Sequence, residues 1–205
     1  MRVARSLALA CAVWFLSACA SSRPGAVDPE AAYGKREALV SQWLAWGFTG
    51  RLSVDDGEEG GSGTIAWNVR ESSSQLDFRG ALGRGSWRLT RSPELAELAL
   101  ANGDIMQAAT IDELLAMELG WDIPVDALEF WVRGLRAPGA VGDSTLDERG
   151  RLQALRQHGW TIAFERYGVT DGVDLPRRVR ATRSPVRIKI LMGDWQLPGA
   201  LNNDS

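Results

Sequence analysis

The spacing of apolar residues from Asp28 onward predicts a helix followed by strands. Asp28 followed by Pro29 is a typical helix start, because aspartate caps backbone N–H groups and proline fits the first turn. The next apolar positions recur at near-helical intervals and predict one helix over Pro29–Trp46: Ala31, Leu39, Val40, Trp43 and Leu44. From Phe48 apolar and polar positions alternate, which is the period of a half-exposed strand.

Alternation with a period of two returns along the chain and predicts antiparallel strands joined by turns. A stretch rich in Gly, Asp and Glu over 55–63 predicts a long hairpin loop, and Asn102-Gly103 predicts a tight turn. Four strands are predicted in the last third of the chain: Leu152–Gln157, Trp160–Tyr167, Arg177–Arg183 and Val186–Met192.

Two short helices are predicted between the two groups of strands. Thr110 and Glu113 fit a capping box, and Gly120 is suited to end the helix that they begin. A second helix is predicted to start at Pro124 and to end at Gly134. The pattern therefore predicts an α+β fold that is mainly β, with one antiparallel sheet and helices on one side.

The first twenty residues have the order of a bacterial secretory signal. Arg2 and Arg5 precede an apolar run over 7–16, which is too short to span a bilayer as a helix. The run ends in Leu16-Ser17-Ala18-Cys19, which resembles the lipobox of lipoproteins, where the cysteine thiolate accepts the lipid. We expect lipidation at Cys19 (diacylglycerol and palmitate); the alternative is a secreted protein with an incidental cysteine near its cleavage site.

The chain is accordingly divided into four segments. We predict a signal peptide over 1–18, a flexible lipidated tether over 19–27, a single domain over 28–197 and a tail over 198–205. No aspartate follows Cys19, so outer-membrane sorting is the expectation, with the domain on the periplasmic face. Cys11 lies in the discarded segment, which leaves the mature chain without a disulfide partner for Cys19.

Charge and residue types argue against several classes of function. The chain carries 23 basic and 26 acidic residues, and loss of Arg2 and Arg5 takes the net charge from -3 to -5, so nucleic acid is not an expected partner. His158 is the only histidine, and Gly60–Gly63 lacks the lysine of a phosphate loop. We find no set of residues suited to catalysis, metal binding or a cofactor, and expect a protein that is not an enzyme.

Tryptophan is unusually frequent. The chain has nine, of which eight lie beyond the predicted signal peptide: Trp43, Trp46, Trp67, Trp87, Trp121, Trp131, Trp160 and Trp195. Core packing explains most of them, since most fall on the apolar phase of a predicted element. A curved sheet covered by short helices can also leave an apolar pocket, which is the usual setting for a lipid ligand.

Many short motifs, each weak alone, resemble the LolB family of outer-membrane lipoprotein receptors. They occur from about Trp43 to Trp195: Leu82-Gly83, Leu119-Gly120, Ile123-Pro124, Trp131-Val132-Arg133-Gly134, Arg151-Leu152 through Gln157-His158-Gly159-Trp160, Leu175-Pro176 and Ile188-Lys189-Ile190. The resemblance implies a strongly curved antiparallel sheet that forms an incomplete barrel, with helices capping an apolar cavity.

The resemblance also implies a function and partners. LolB-like proteins receive lipoproteins from the periplasmic carrier LolA, hold their acyl chains in the cavity, and place them in the inner leaflet of the outer membrane. The implied partners are therefore LolA, the acyl chains of lipoproteins and outer-membrane phospholipid, and the expected state is a monomer. Two alternatives stay open: an envelope lipoprotein that binds another lipid or acts as an assembly module, and a lipid-anchored enzyme.

The resemblance singles out Leu82 as an exposed leucine on a loop that puts cargo into the membrane. Leu82 is the one large apolar residue of Gly80–Gly85, although Ala81 stands where the family often has proline, and Leu82 folded back onto the sheet is the alternative. Arg84 and Arg88 lie near the same loop and are candidates for contact with a carrier or with headgroups. The candidates for the cavity lining are the inward-phase residues Trp67, Phe78, Trp87, Leu89, Leu100, Leu115, Trp131 and Ile162.

Overall fold

The computed structural model describes residues 28–58, 60–81, 85–120 and 122–198. The predicted signal peptide, the tether with Cys19, the loop residues Leu82 and Arg84, Trp121, and the last seven residues of the predicted tail lie outside the described residues.

Three helices and eleven strands make up the described chain. The helices are α1 Pro29–Val40, α2 Ile111–Leu119 and α3 Val125–Val132. The strands before α2 are β1 Ala45–Asp55, β2 Gly60–Arg70, β3 Ser73–Gly80, β4 Trp87–Arg91, β5 Ala96–Leu100 and β6 Ile105–Ala108. The strands after α3 are β7 Val141–Leu146, β8 Leu152–Gln157, β9 Trp160–Thr170, β10 Val173–Arg183 and β11 Val186–Gln196.

All eleven strands belong to one antiparallel sheet in the order β6-β5-β4-β3-β2-β1-β11-β10-β9-β8-β7. Each strand pairs with its sequence neighbour except at the middle, where β1 pairs with β11 from Gly47↔Gln196 to Asp55↔Arg187. No ladder joins β6 to β7 among the described residues, so the curved sheet is an open barrel. The predicted mainly β fold with an incomplete antiparallel barrel is confirmed.

Alternation along the strands decides which face is buried. On β2, Ile65, Trp67 and Val69 are buried, whereas Thr64 is exposed. The largest aromatic side chains of the inner face meet where β1, β2 and β11 lie side by side, with ring centroids 5.0–6.4 Å apart in the contacting pairs: Trp46, Phe48, Trp67 and Trp195. This cluster forms the centre of the core.

Helix α1 is shorter than the sequence predicts. The Asp28 cap is present, since its Oδ1 accepts a hydrogen bond from the Glu30 backbone N–H at 3.0 Å, but the helix ends at Val40 and not at Trp46. Trp46 is instead a residue of β1, almost fully buried in the aromatic cluster. Burial of this large ring on the sheet outweighs the helical spacing of the preceding apolar residues.

Helices α2 and α3 begin and end close to the predicted positions. The Thr110 side chain accepts a hydrogen bond from the Glu113 N–H at 3.2 Å, and Gly120 ends α2 in the left-handed conformation with φ of 64°. Helix α3 starts next to Pro124, and Asp112 of α2 accepts a hydrogen bond from its first N–H, that of Val125, at 3.0 Å. This bond joins the two helices.

The predicted strands are present, with differences at their ends. β8 has the predicted bounds, whereas β9 and β10 extend to a turn at Asp171-Gly172, and β11 continues to Gln196. The hairpin loop after β1 is shorter than the predicted 55–63, because strand pairing reaches Asp55↔Gly60. Strand β7 was not predicted, since as an edge strand it has no buried residue and hence no alternation to detect.

Candidate functional site

A small apolar cavity lies between the inner face of the sheet and the two helices α2 and α3. Its volume is about 30 Å³, above the roughly 10–15 Å³ that a cavity needs to hold one water molecule. The strands contribute Leu52, Val54, Ile65, Trp67, Leu76, Trp87, Ile188 and Ile190, and the helical segment contributes Leu115, Ile123, Val125 and Leu128. Every lining side chain is hydrophobic apart from the Trp indole N–H groups.

A larger open groove leads away from this cavity. Its volume is about 850 Å³, and it shares Leu52, Val54 and Trp87 with the cavity. Gly80 and Ser86 lie on its rim, at the two ends of the loop that contains Leu82. The groove and the cavity are therefore adjacent, with Leu52, Val54 and Trp87 between them.

The predicted lining residues fall into three groups. Trp67, Trp87 and Leu115 line the cavity, and Phe78 and Leu100 line the groove, where Phe78 stacks on Trp87 at a centroid distance of 5.2 Å. The other three are fully buried and line neither space: Leu89, Trp131 and Ile162. Leu82 and Arg84 lie outside the described residues, and Arg88 is exposed on the outer face with its Nε 2.6 Å from Asp77.

Several lining residues were not among the candidates. Leu52 and Val54 on β1, and Ile188 and Ile190 on β11, lie on the inward phase of strands whose alternation was recognised. Their phase was the available signal. The phase did not indicate that β1 pairs with β11. This pairing places the four side chains together at the centre of the sheet.

An ionic contact fastens the helical cover to the sheet. Arg91, the last residue of β4, bonds to Asp126 and, at 2.8 Å, to Glu129, both on α3. Burial raises the pKa of Glu129, and the positive charge of Arg91 opposes this rise. If the contact between Arg91 and Glu129 breaks, the buried Glu129 carboxylate therefore loses its main cation.

The far end of α3 is held by buried polar bonds. The amide of Gln157 accepts hydrogen bonds from the indole Nε1 of Trp131 at 3.1 Å and from the Ala137 N–H at 2.9 Å. Arg133 donates to the Val40 carbonyl at 3.1 Å and lies over the Trp46 ring. Burial lowers the pKa of Arg133, against the raising effect of Glu129. These contacts make the C-terminal end of α3 the firmer one.

Two further features of the described residues concern the histidine and possible metal sites. His158 is exposed, and its Nε2 lies 3.1 Å from the Pro138 carbonyl oxygen. Within 28–58, 60–81, 85–120 and 122–198 there is no group of three His, Cys, Asp or Glu side chains placed to hold a metal ion. No helix in the same ranges has the length and apolar character needed to cross a membrane.

Comparisons with known proteins agree on one family. Residues 44–195 match the family model described as outer membrane lipoprotein LolB. The outer-membrane lipoprotein LolB of Alkalilimnicola ehrlichii is 35% identical over 198 residues, covering 96% of this chain and 99% of the relative. That of Stutzerimonas stutzeri is 32% identical over 200 residues, covering 96% and 97%.

Two solved structures share the fold at low sequence identity. A LolA superfamily protein from Nitrosomonas europaea superposes with a TM-score of 0.50 and 10% identity, covering 84% of this chain and 94% of the other. A DUF1329 family protein from Desulfovibrio piger gives a TM-score of 0.50 and 10% identity, covering 83% and 94%. At this identity the likeness concerns the open-barrel architecture.

Proposed function

The chain belongs to the LolB family of outer-membrane lipoproteins, and from this premise we propose that it accepts lipoproteins from a LolA-type periplasmic carrier and delivers them to the inner leaflet of the outer membrane. The observation that carries the proposal is the apolar cavity under α2 and α3 with the open groove beside it. A cavity lined by hydrophobic side chains suits acyl chains, whose burial is favourable by about 0.8 kcal/mol per CH₂.

Delivery of this kind needs no chemical energy. An acyl chain leaves water when it enters either a protein cavity or a bilayer, so the gain per CH₂ is similar in the two. Moderate differences in affinity between carrier, receptor and membrane are then sufficient to direct the cargo. This is consistent with a protein whose described residues include no candidate catalytic set.

Loading requires the helical cover to move. A cavity of about 30 Å³ is only two to three times the roughly 10–15 Å³ that one water molecule needs, and an acyl chain is many times larger than a water molecule. The groove at Leu52, Val54 and Trp87 gives the chain a place to start, and displacement of α2 and α3 from the sheet then enlarges the cavity behind it. The Arg91 contact with Asp126 and Glu129 is the polar bond that this movement breaks.

Two residues outside the described part complete the proposal. Lipid on Cys19 holds the protein at the membrane, since two or three acyl chains bind a bilayer far more firmly than one. Leu82 lies in sequence between Gly80 and Ser86, which both border the groove. A leucine that enters lipid gains about 1.5–3 kcal/mol, enough to bring the groove to the leaflet and too little to anchor the domain.

The test is transfer of a radiolabelled lipoprotein from a LolA-type carrier to the chain from Ala20 onward, which lacks the lipid, and then to liposomes. We expect the wild type to accept and deliver cargo, and Leu82→Glu to accept cargo but deliver less than about a tenth as much, because a buried carboxylate opposes insertion. Leu44→Glu is the matched control, since Leu44 is an exposed leucine elsewhere with 70% of its surface accessible.

Each part of the proposal has its own contrary result. If the wild type takes no cargo from the carrier, the receptor function is wrong. If Leu82→Glu delivers as well as Leu44→Glu, the role of the loop is wrong while the receptor function stands.

A further inference from the structure

Two arginines lie in one row on the outer face of the sheet. Arg51 of β1 is paired with Thr64 of β2, and Thr64 is paired with Arg79 of β3. Directly paired residues of adjacent strands share a face, so these three side chains point away from the core together. All three are exposed. Two strand spacings of about 4.8 Å separate the arginines.

A lysine extends this row to a fourth strand. Lys189 of β11 is paired with Ser53, which lies two residues from Arg51 and therefore on the same face. Lys189 is exposed as well. We call Arg51, Thr64, Arg79 and Lys189 the cationic surface. It extends over four adjacent strands, a width of about 15 Å.

The cations of this surface differ from their neighbours in having no ion-pair partner. Other basic residues of the outer face are paired with carboxylates: Arg88 with Asp77 at 2.6 Å, Arg180 with Glu165 at 2.6 Å and Arg187 with Asp55 at 3.2 Å. Within the described ranges no carboxylate lies within 4.0 Å of Arg51, Arg79 or Lys189. Two carboxylates share a neighbouring depression with Arg51 and Arg79: Asp77, which is paired with Arg88, and Asp194. The cations still outnumber the carboxylates on this surface, although the full chain has a net charge of -3.

A depression between the two arginines provides room for an anion. Its volume is about 330 Å³, and Arg51, Arg79, Ser62 and Thr64 line it. Its border includes Ser62, Gly80, Ala81 and Ser86, and the same four residues border the apolar groove. A site suited to a phosphate and a groove suited to an acyl chain thus lie on opposite sides of one rim.

We infer that the cationic surface binds the phosphates of anionic phospholipid headgroups in the bilayer to which the protein is attached. Guanidinium groups bind phosphate oxygens through paired hydrogen bonds, and the hydroxyl groups of Ser62 and Thr64 can donate further ones. Contact through this surface brings the shared rim, and with it the mouth of the groove, to the headgroup layer. Arrays of unpaired cations spread over several strands suit a plane of phosphates better than a single small anion.

The proposed lipid attachment keeps the start of the domain close to the membrane. The inference rests on the proposed attachment at Cys19, and eight residues lie between Cys19 and the first described residue, Asp28. Such a segment spans at most about 30 Å. The inference does not depend on cargo transfer.

The distribution of lysines allows a direct test. The chain has two, Lys189 on the cationic surface and Lys35 on α1, and both are exposed. The mature lipidated protein is reconstituted into vesicles of phosphatidylcholine alone, or of phosphatidylcholine with phosphatidylglycerol, and treated with an amine-reactive reagent. Mass spectrometry then gives the labelling rate of each lysine, and Lys35 serves as the internal reference.

We expect Lys189 to be labelled about fivefold more slowly relative to Lys35 in the anionic vesicles than in the neutral ones. At about 1 M salt, where the Debye length falls to about 3 Å, this protection should disappear. Arg51→Gln combined with Arg79→Gln should weaken the association about 25-fold, since each basic residue contributes about fivefold, and so abolish the protection. Arg187→Gln, which removes a cation already paired with Asp55, is the control and should leave most of it.

Three results would overturn the inference. Equal labelling of Lys189 in both kinds of vesicle would show that the surface does not bind anionic headgroups. Equal protection by inorganic phosphate, with the protein in neutral vesicles, would show a site for a free anion. Protection by a LolA-type carrier in neutral vesicles, with none from phosphatidylglycerol, would show a protein-docking surface. None of these results bears on cargo delivery, which the transfer assay measures separately.

Discussion

At the scale of single residues, the carboxylate of Asp147 shows how a turn is fixed by charge. It accepts hydrogen bonds from the backbone N–H groups of Arg149 and Arg151, each at 2.9 Å, and from the Arg151 Nε at 2.7 Å. Burial alone would raise the pKa of Asp147, but these bonds outweigh it and hold the pKa below its usual value. The ionised form therefore stabilises the turn between β7 and β8.

We predict that Asp147→Asn lowers the free energy of unfolding by about 1.5–3 kcal/mol at neutral pH, the usual contribution of bonds to a charged group. Because the pKa is lower in the folded state, this contribution is present above the ordinary value of 3.8 and is lost as the pH falls through the folded-state pKa. Urea unfolding of both proteins at about pH 7 and about pH 3 should show the difference narrowing at acid pH.

Asp143→Asn is the control for this prediction. Asp143 lies nearby on β7, but its side chain is 90% exposed and its ion pair with Arg156 spans 3.6 Å. We expect no measurable change in the free energy of unfolding of Asp143→Asn, as is usual when an exposed ion pair is removed. If Asp147→Asn lowers the free energy of unfolding equally at both pH values, the role assigned to the Asp147 charge is contradicted.

Residue patterns in the sequence identify the face of a side chain but not its neighbours. Of the candidates, Trp67 and Trp87 from the inward phase of strands and Leu115 from the helical cover line the cavity. The inward phase marked Leu89 and Ile162 equally, yet both are packed in the solid core. The difference depends on where α2 and α3 lie over the sheet, which is a tertiary property that alternation along one strand does not contain.

At the scale of elements, local chemistry was the reliable guide. The bounds of α2 follow from Thr110, Glu113 and Gly120, because capping bonds and a left-handed glycine act within a few residues. The end of α1 and the presence of β7 were missed, since they depend on distant contacts. Trp46 enters β1 to reach the aromatic cluster, and β7 pairs with β8 without a buried face of its own.

The Arg91 contact leads to a prediction about helix α3. Arg91→Gln removes the bonds to Asp126 and Glu129, so the N-terminal half of the cover should open more often. We expect backbone amides of Val125–Val132 to exchange with deuterium at least about fivefold faster, corresponding to about 1 kcal/mol of opening free energy. Hydrogen exchange followed by mass spectrometry measures this.

Arg88→Gln is the matched control, because Arg88 lies on β4 and is also ion-paired, but its partner Asp77 belongs to the sheet and not to the cover. Exchange in α3 should be unchanged in this variant. If Arg91→Gln and Arg88→Gln have the same effect on α3, the ionic contact does not govern the movement of the cover.

At the scale of the whole molecule, one strand pair joins the two halves of the sheet. β1 to β6 follow one another on one side of this junction and β7 to β11 on the other, and only β1 and β11 cross it. The sequence predicted the strands but not this pairing, because Asp55 and Arg187 are 132 residues apart and no local pattern marks them as neighbours. The cavity depends on it, since Leu52 and Ile190 line it from opposite sides of the junction.

Gly50 is where this junction is most sensitive to a single side chain. It lies at the irregularity in the β1–β11 register, and a Cβ at this position would come within 1.9 Å of the Leu191 carbonyl oxygen. The Leu191 carbonyl oxygen is part of the backbone and cannot rotate away as the end of a flexible side chain could. Gly50→Ala must therefore push β11 as a whole away from β1. We predict a loss of at least about 3 kcal/mol, the upper end of the cost of overpacking. Urea unfolding followed by tryptophan fluorescence measures it.

Gly61→Ala separates the effect of the junction from the effect of removing a glycine. Gly61 lies on β2 with nothing within 4 Å of an added Cβ. Its replacement should be neutral or stabilise the protein by up to about 1 kcal/mol, because alanine reduces the conformational freedom of the unfolded chain.

Because both halves of the sheet line the cavity, a weakened junction should also reduce binding of an apolar fluorescent probe in Gly50→Ala but not in Gly61→Ala. Equal stability of the two variants would mean that the halves hold together without close β1–β11 contact, and the cavity would then have to be attributed to the helical cover alone.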